Sequence, residues 1–130
     1  MNDHKITEEE IGNLVDRFYA QVQHDPEIGP VFNEAVEDWP THLALLKNFW
    51  STVLLTTGRY KGDPMMTHLK LPLEERHFRR WLQLFAETAR KVMTPSHADL
   101  IIRKSERIAE NFKLAIAYQR GRLTTPLPGL

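Results

Sequence analysis

The chain contains no cysteine, which excludes a disulfide framework, a thiolate metal site and a thiol nucleophile. It also lacks net charge. Lys plus Arg and Asp plus Glu each total 17, which removes the main electrostatic reason to expect a nucleic-acid partner. No apolar run approaches the roughly 18–20 residues of a membrane helix. The opening MNDHKITEEE is polar and acidic, unlike a secretory signal. Internal repeats and strand alternation are missing too. What is present is ordinary for a soluble protein, with 42% apolar and 26% charged residues in 130. That length suits one domain, 1–130, able to bury a real core. A cysteine-free composition fits a reducing cytoplasm.

Helical signals fill most of the chain, and the expected fold class is all-α. Thr7 opens a capping box, TEEE, with Glu10 reaching back to it. Ile11, Leu14, Val15, Phe18, Tyr19 and Val22 then recur at helical spacing on one stripe. Asp25-Pro26 reads as a cap with a first-turn proline, and Gly29-Pro30 punctuates a short helical piece ending near Val36. Asp38 opens a second long helix with the stripe Trp39, Leu43, Leu46, Phe49, Trp50, Val53 and Leu54, and Gly58 is its expected stop. A helical turn is expected over 65–70. Pro72 is expected to start a third helix whose buried face holds Phe78, Trp81, Leu82, Phe85, Ala89 and Val92. Thr94-Pro95 opens a fourth, running to about Gln119 and burying Ile101, Ile108, Phe112, Ala115 and Ile116. The expected ordered core is about 6–119, with 120–130 a loose tail.

Six histidines are the main candidates for chemistry. His4, His24 and His97 stand near helix ends in polar surroundings, where a solvated role is expected. His77 with Glu74 forms one Glu-x-x-His, the i, i+3 spacing of di-iron bundles, but such sites need a second copy and two more glutamates. His42 shares a helix face with Leu46, Phe49 and Trp50, which suits either a half-buried helix-start histidine or a pocket residue. His68, in PMMTHLKLP, lies among Met65, Met66, Leu69 and Leu71. Its local chemistry fits two roles, packing or ligation of a metal whose surroundings are apolar, such as a haem iron.

The segments RFYAQVQHDPEIGPVF, HLALLKNFWSTVLLTTGRYKGDPMMTHLKLP and RRWLQLF resemble the truncated haemoglobins, specifically their third group. The likeness runs from about residue 10 to 118. Its most specific part is FW followed by Gly-x-Tyr-x-Gly-x-Pro-x-x-x-His, and the Gly-Gly pairs of the other truncated groups are absent. The resemblance implies a two-over-two helical sandwich around haem b, with His68 as the proximal iron ligand. It implies Tyr19, His42 and Trp81 as the residues facing a bound small ligand, and Leu46 as the apolar neighbour one turn after His42. Phe49, Phe85 and Met66 are expected either to pack on the haem or to belong to the core. Arg59 and Tyr60, and less readily Lys47 or Arg76, are candidates for the haem propionates.

The implied activity is binding of O2, NO, CO, peroxide or cyanide at the iron. A pocket carrying tyrosine, histidine and tryptophan suits retention and chemistry on O2, NO or peroxide better than delivery, in the manner of an NO dioxygenase or a peroxidase. Turnover would need a reductase in trans, since no flavin or nicotinamide domain is recognisable in the sequence. The rival readings are an O2-storage or sensing globin without turnover, and a cofactor-free helical interaction module. A monomer or weak dimer is expected.

Overall fold

The computed structural model describes residues 5–62 and 73–119. Those residues form five helices and no strand: α1 (Glu8–His24), α2 (Gly29–Ala35), α3 (Trp39–Leu55), α4 (Glu75–Val92) and α5 (Pro95–Gln119). The expected turn at 65–70 and the tail from 120 lie outside the described residues, as do His4, Met66 and His68. No described helix is long and apolar enough to cross a membrane.

Helix α1 starts as its sequence requires. Thr7 Oγ1 accepts from the Glu10 backbone N–H at 3.1 Å, and the Glu10 carboxylate accepts from the Thr7 N–H at 3.4 Å. Asp38 caps α3, its carboxylate accepting from the Thr41 N–H and hydroxyl. Three boundaries differ from expectation. Asp25 caps a turn rather than a helix, accepting from the Glu27 and Ile28 N–H groups at 3.0 Å, and α2 begins only at Gly29. Gly29 is packed so close to the end of α1 that a Cβ would stand 2.9 Å from the Val22 carbonyl oxygen. Helix α3 ends at Leu55, and its cap Thr56, two residues before Gly58, adopts the left-handed conformation (φ 55°). Helix α4 begins at Glu75, not at Pro72.

The helices form two layers, α1 against α3 and α4 against α5, joined where α1 crosses α4. This is the expected two-over-two sandwich. Its core is largely aromatic. Phe18, wholly buried, meets Tyr19, Trp81 and Phe85 edge-on at 4.7, 5.1 and 5.0 Å. Phe85 is itself stacked between Trp81 (4.7 Å) and Trp50 (5.4 Å). Such contacts add about 0.5–1.5 kcal/mol each beyond burial and hold ring orientations. They fix the inner face of Trp81.

Two polar ties lock the layers together. Asp25, buried in the turn after α1, takes Arg80 of α4 at 2.9 Å (Nε) and 2.7 Å (Nη2). His97 of α5 is buried against Glu10, at 2.8 Å, rather than solvated as expected. The partner lies 87 positions away, so nothing in the local sequence announces it.

Candidate functional site

Helix α3 contributes seven apolar stripe residues, yet its described buried residues are only Trp50 and Ser51. Leu46 and Phe49 remain half-buried, and Leu45 is 45% exposed. The uncovered face borders a cavity of about 420 Å³ lying between α1, α2 and α3 on one side and α4 and α5 on the other. That volume lies within the range of ligand and cofactor sites.

Tyr19 of α1, His42 of α3 and Trp81 of α4, brought from three helices, all line this cavity. Tyr19 is 4% exposed, and its ring is wedged between Phe18 and Phe32. Burial raises its phenol above the ordinary value of 10.0, against a weaker opposing effect of the Trp81 side chain as a hydrogen-bond partner. The hydroxyl therefore stays protonated at any physiological pH. With Trp81 able only to donate, the Tyr19 O–H remains the donor available to the cavity. His42 is half-buried at the mouth, its ring edge-on to Trp39 at 5.7 Å.

Leu46, Phe49 and Tyr60 also line the cavity. The Tyr60 ring stands edge-on to Phe49 at 5.3 Å. Gly62 makes room for it, since a Cβ there would fall 2.5 Å from Tyr60 Oη. Phe85 does not reach the cavity. It is 1% exposed and forms the backing of Trp81 from within the core.

The expected cationic residues form ion pairs at the surface. Arg59 pairs with Glu8 at 3.0 Å, and the same Glu8 accepts from the buried Ser51 hydroxyl at 2.7 Å. Lys47 pairs with Asp16 at 3.0 Å and Arg76 with Glu27 at 3.6 Å. No lysine or arginine among the described residues lines the cavity. Its carboxylates, Glu37 and Asp38, sit at the α2–α3 junction.

Among the lining residues that the sequence reading did not place at the site is His77. His77 is 4% exposed, and its Nδ1 accepts from the Glu74 backbone N–H at 2.8 Å. The Glu-x-x-His spacing is thus a capping box at the start of α4, not half of a di-iron site. An accepting Nδ1 leaves the proton on Nε2. Burial, helped by the charge of Arg76 and opposed by Glu27 and Glu74, lowers the imidazole below 6.5 and keeps it neutral. The capping spacing was the available signal, since a histidine can stand where Glu or Gln usually does.

The residues present fit a flat, mostly apolar cofactor. A half-exposed apolar helix face and aliphatic and aromatic walls border the cavity, together with the polar tips of Tyr19, His42 and Trp81. Tyr60 and Leu73 also line it.

Comparison with known proteins agrees with this geometry. Residues 5–116 match the family model of the bacterial-like globins. The chain is 36% identical to the group 3 truncated hemoglobin ctb of Campylobacter jejuni, an alignment covering 83% of this chain and 89% of that relative. The crystal structure of the group III truncated hemoglobin from Campylobacter jejuni superposes with a TM-score of 0.83 at 35% identity, covering 89% of this chain and 95% of the other. Haem-based binding of small ligands follows from the family. The chain belongs to the bacterial-like globins and, within them, to the group III truncated haemoglobins.

Proposed function

We propose that this globin binds haem b through His68 and retains small ligands for chemistry on O2, NO or peroxide. The observation that carries the reading is the convergence of the buried Tyr19 hydroxyl, Trp81 and half-buried His42 on one mostly apolar cavity. His68 lies eight positions after Tyr60 and five before Leu73. The assignment of His68 rests on the Gly-x-Tyr-x-Gly-x-Pro-x-x-x-His motif by which the chain resembles the truncated haemoglobins. Met66, two positions before His68, would serve as an apolar wall.

Bound haem supplies a redox-active iron with a coordination position for O2, NO, CO, cyanide or peroxide. The chain supplies the rest. Leu46, Phe49 and Tyr60 give the apolar wall. Tyr19, protonated and pinned by its neighbours, donates a hydrogen bond to a ligand that carries negative charge. Trp81 holds the Tyr19 oxygen with its single N–H, which leaves the phenol proton for the ligand. His42, half-buried on the cavity wall, carries an imidazole that can pass a proton between solvent and the ligand. Tyr60, on the cavity wall, would hold a haem propionate through its hydroxyl. Repeated turnover draws electrons from a reductase in trans, and the cytoplasm, a reducing compartment, fits both that need and the absence of cysteine. An O2-storage role would use the same residues without the proton path through His42.

The test is spectroscopic. Protein made with adequate haem is expected to be red with a Soret band, and His68→Ala to lose it. A colourless wild-type protein that also refuses added hemin would leave the cofactor-free helical module as the better reading.

A further inference from the structure

One indole touches both polar residues on the outer side of the cavity. The Trp39 ring, at the first position of α3, lies 6.0 Å from that of Tyr19, tilted by 43°, and 5.7 Å from that of His42, edge-on at 83°. Its own orientation is held from outside the cavity. Trp39 Nε1–H donates to Asn33 Oδ1 at 3.1 Å, and Asn33 Nδ2–H donates to the Gln23 carbonyl oxygen at 3.0 Å. Gln23 belongs to the last turn of α1, whose carbonyls have no intrahelical partner. Asn33 therefore links the end of α1, the body of α2 and the start of α3 in one chain of two hydrogen bonds. Trp39 does not itself line the cavity.

We propose that Trp39, latched through Asn33 to the end of α1, is a positioning residue that sets where His42 and Tyr19 stand in the cavity. It thereby controls ligand entry past His42 and ligand retention by Tyr19. This inference rests on the reading of the cavity as the haem pocket. The physical argument is one of shared constraint. Tyr19 has Phe18 and Phe32 as further ring supports, and the indole adds a contact that it shares with His42. An indole fixed at its N–H cannot swing without breaking the Asn33 bond, so both rings packed on it feel one orientation of the indole. Releasing the indole removes a support common to His42 and Tyr19.

The experiment uses two conservative variants, Asn33→Ala and Trp39→Phe, in the haem-loaded chain. Asn33 is exposed, so its truncation leaves the core intact. Trp39→Phe keeps an aromatic ring but has no N–H to donate. The carbonyl stretching band of the ferrous CO complex reports the polar groups around the ligand, and flash photolysis gives the CO association rate. Both variants are expected to broaden or split the band and to change association about two- to tenfold, the range governed by one neutral hydrogen bond. The double variant should match the larger single effect, because both changes break one latch. Wild-type band shapes in both single variants, with rates within a factor of two, would overturn the proposal while leaving the haem pocket in place. Effects that simply add in the double variant would also overturn it. A wild-type chain that takes up no haem would overturn the pocket reading, and this inference with it.

Discussion

Replacing Tyr19 with phenylalanine removes a single oxygen from the cavity and little else. The ring is 4% exposed and held by Phe18 at 4.7 Å, Trp39 at 6.0 Å and Phe32 at 6.5 Å, so phenylalanine will occupy the same place. What is lost is the hydrogen bond to a ligand bearing negative charge, worth about 1.5–3 kcal/mol. At about 1.4 kcal/mol per tenfold, the ferrous oxygen complex should lose its ligand about 10- to 150-fold faster. Trp81 moves the expected value toward the lower end. Its indole acts on the Tyr19 oxygen as a hydrogen-bond partner, and in the variant that N–H is released to turn toward the ligand. The assay is stopped-flow displacement of oxygen by CO, in the single variant and in Tyr19→Phe with Trp81→Phe. The second substitution should accelerate release further. An off-rate within a factor of two of wild type in the single variant would refute the assignment of Tyr19 as the donor.

Two further outcomes follow from the packing. Asp25→Asn should lower stability at pH 7 by about 1.5–3 kcal/mol, the range of a charge-assisted hydrogen bond. Burial works against the Asp25 charge, but Arg80 and the Ile28 and Glu27 N–H groups outweigh it, so its carboxyl titrates below 3.8 in the folded chain. Its contribution is therefore present above that value and lost as pH falls through the lower folded value, and urea melts at pH 7 and pH 3 should show the two proteins converging in acid. Phe85→Ala should cost about 3–5 kcal/mol in the same melts, as for other buried aromatics. Because Phe85 backs Trp81 at 4.7 Å, the variant should also broaden the carbonyl band of the CO complex. An unchanged band would separate the stability role of Phe85 from any effect on the pocket.

Tyr60 and Arg59 show how adjacent residues part company once the chain folds. Both sit in the loop after α3 and both are chemically suited to a propionate. Tyr60 lies over Gly62 and faces the cavity, while Arg59 reaches the other way to Glu8. That choice depends on Glu8, Ser51 and Thr57 meeting at the junction of α1 and α3, since Ser51 Oγ lies 2.7 Å from both partners. The same junction accounts for the early end of α3. Thr56 accepts a left-handed backbone there, and the following chain is held by the bond from the Tyr60 N–H to Thr52 Oγ1 at 2.9 Å. Phe49 and Phe85 likewise look alike in sequence, as aromatics on apolar stripes. Only the stacking of Phe85 between Trp50 and Trp81 makes one a core residue and leaves the other on the cavity wall.

The sequence by itself determined the helical class, most helix starts and the family. Capping boxes and 3.6-residue stripes act within a few positions of each other, and the resemblance to the truncated haemoglobins is carried by residue identities such as FW followed by Gly-x-Tyr-x-Gly-x-Pro-x-x-x-His. It also marked Tyr19, His42 and Trp81, the three polar tips that meet in the cavity. Tertiary structure decided which charges were already spent, that His97 is buried on Glu10, and that His77 caps α4 at the cavity wall. It also decided that Trp39 touches both Tyr19 and His42. The physical reason is distance along the chain. A cap or a stripe is settled by neighbours in sequence, whereas an ion pair or a ring stack needs partners that only the packing of whole helices brings within a few ångströms.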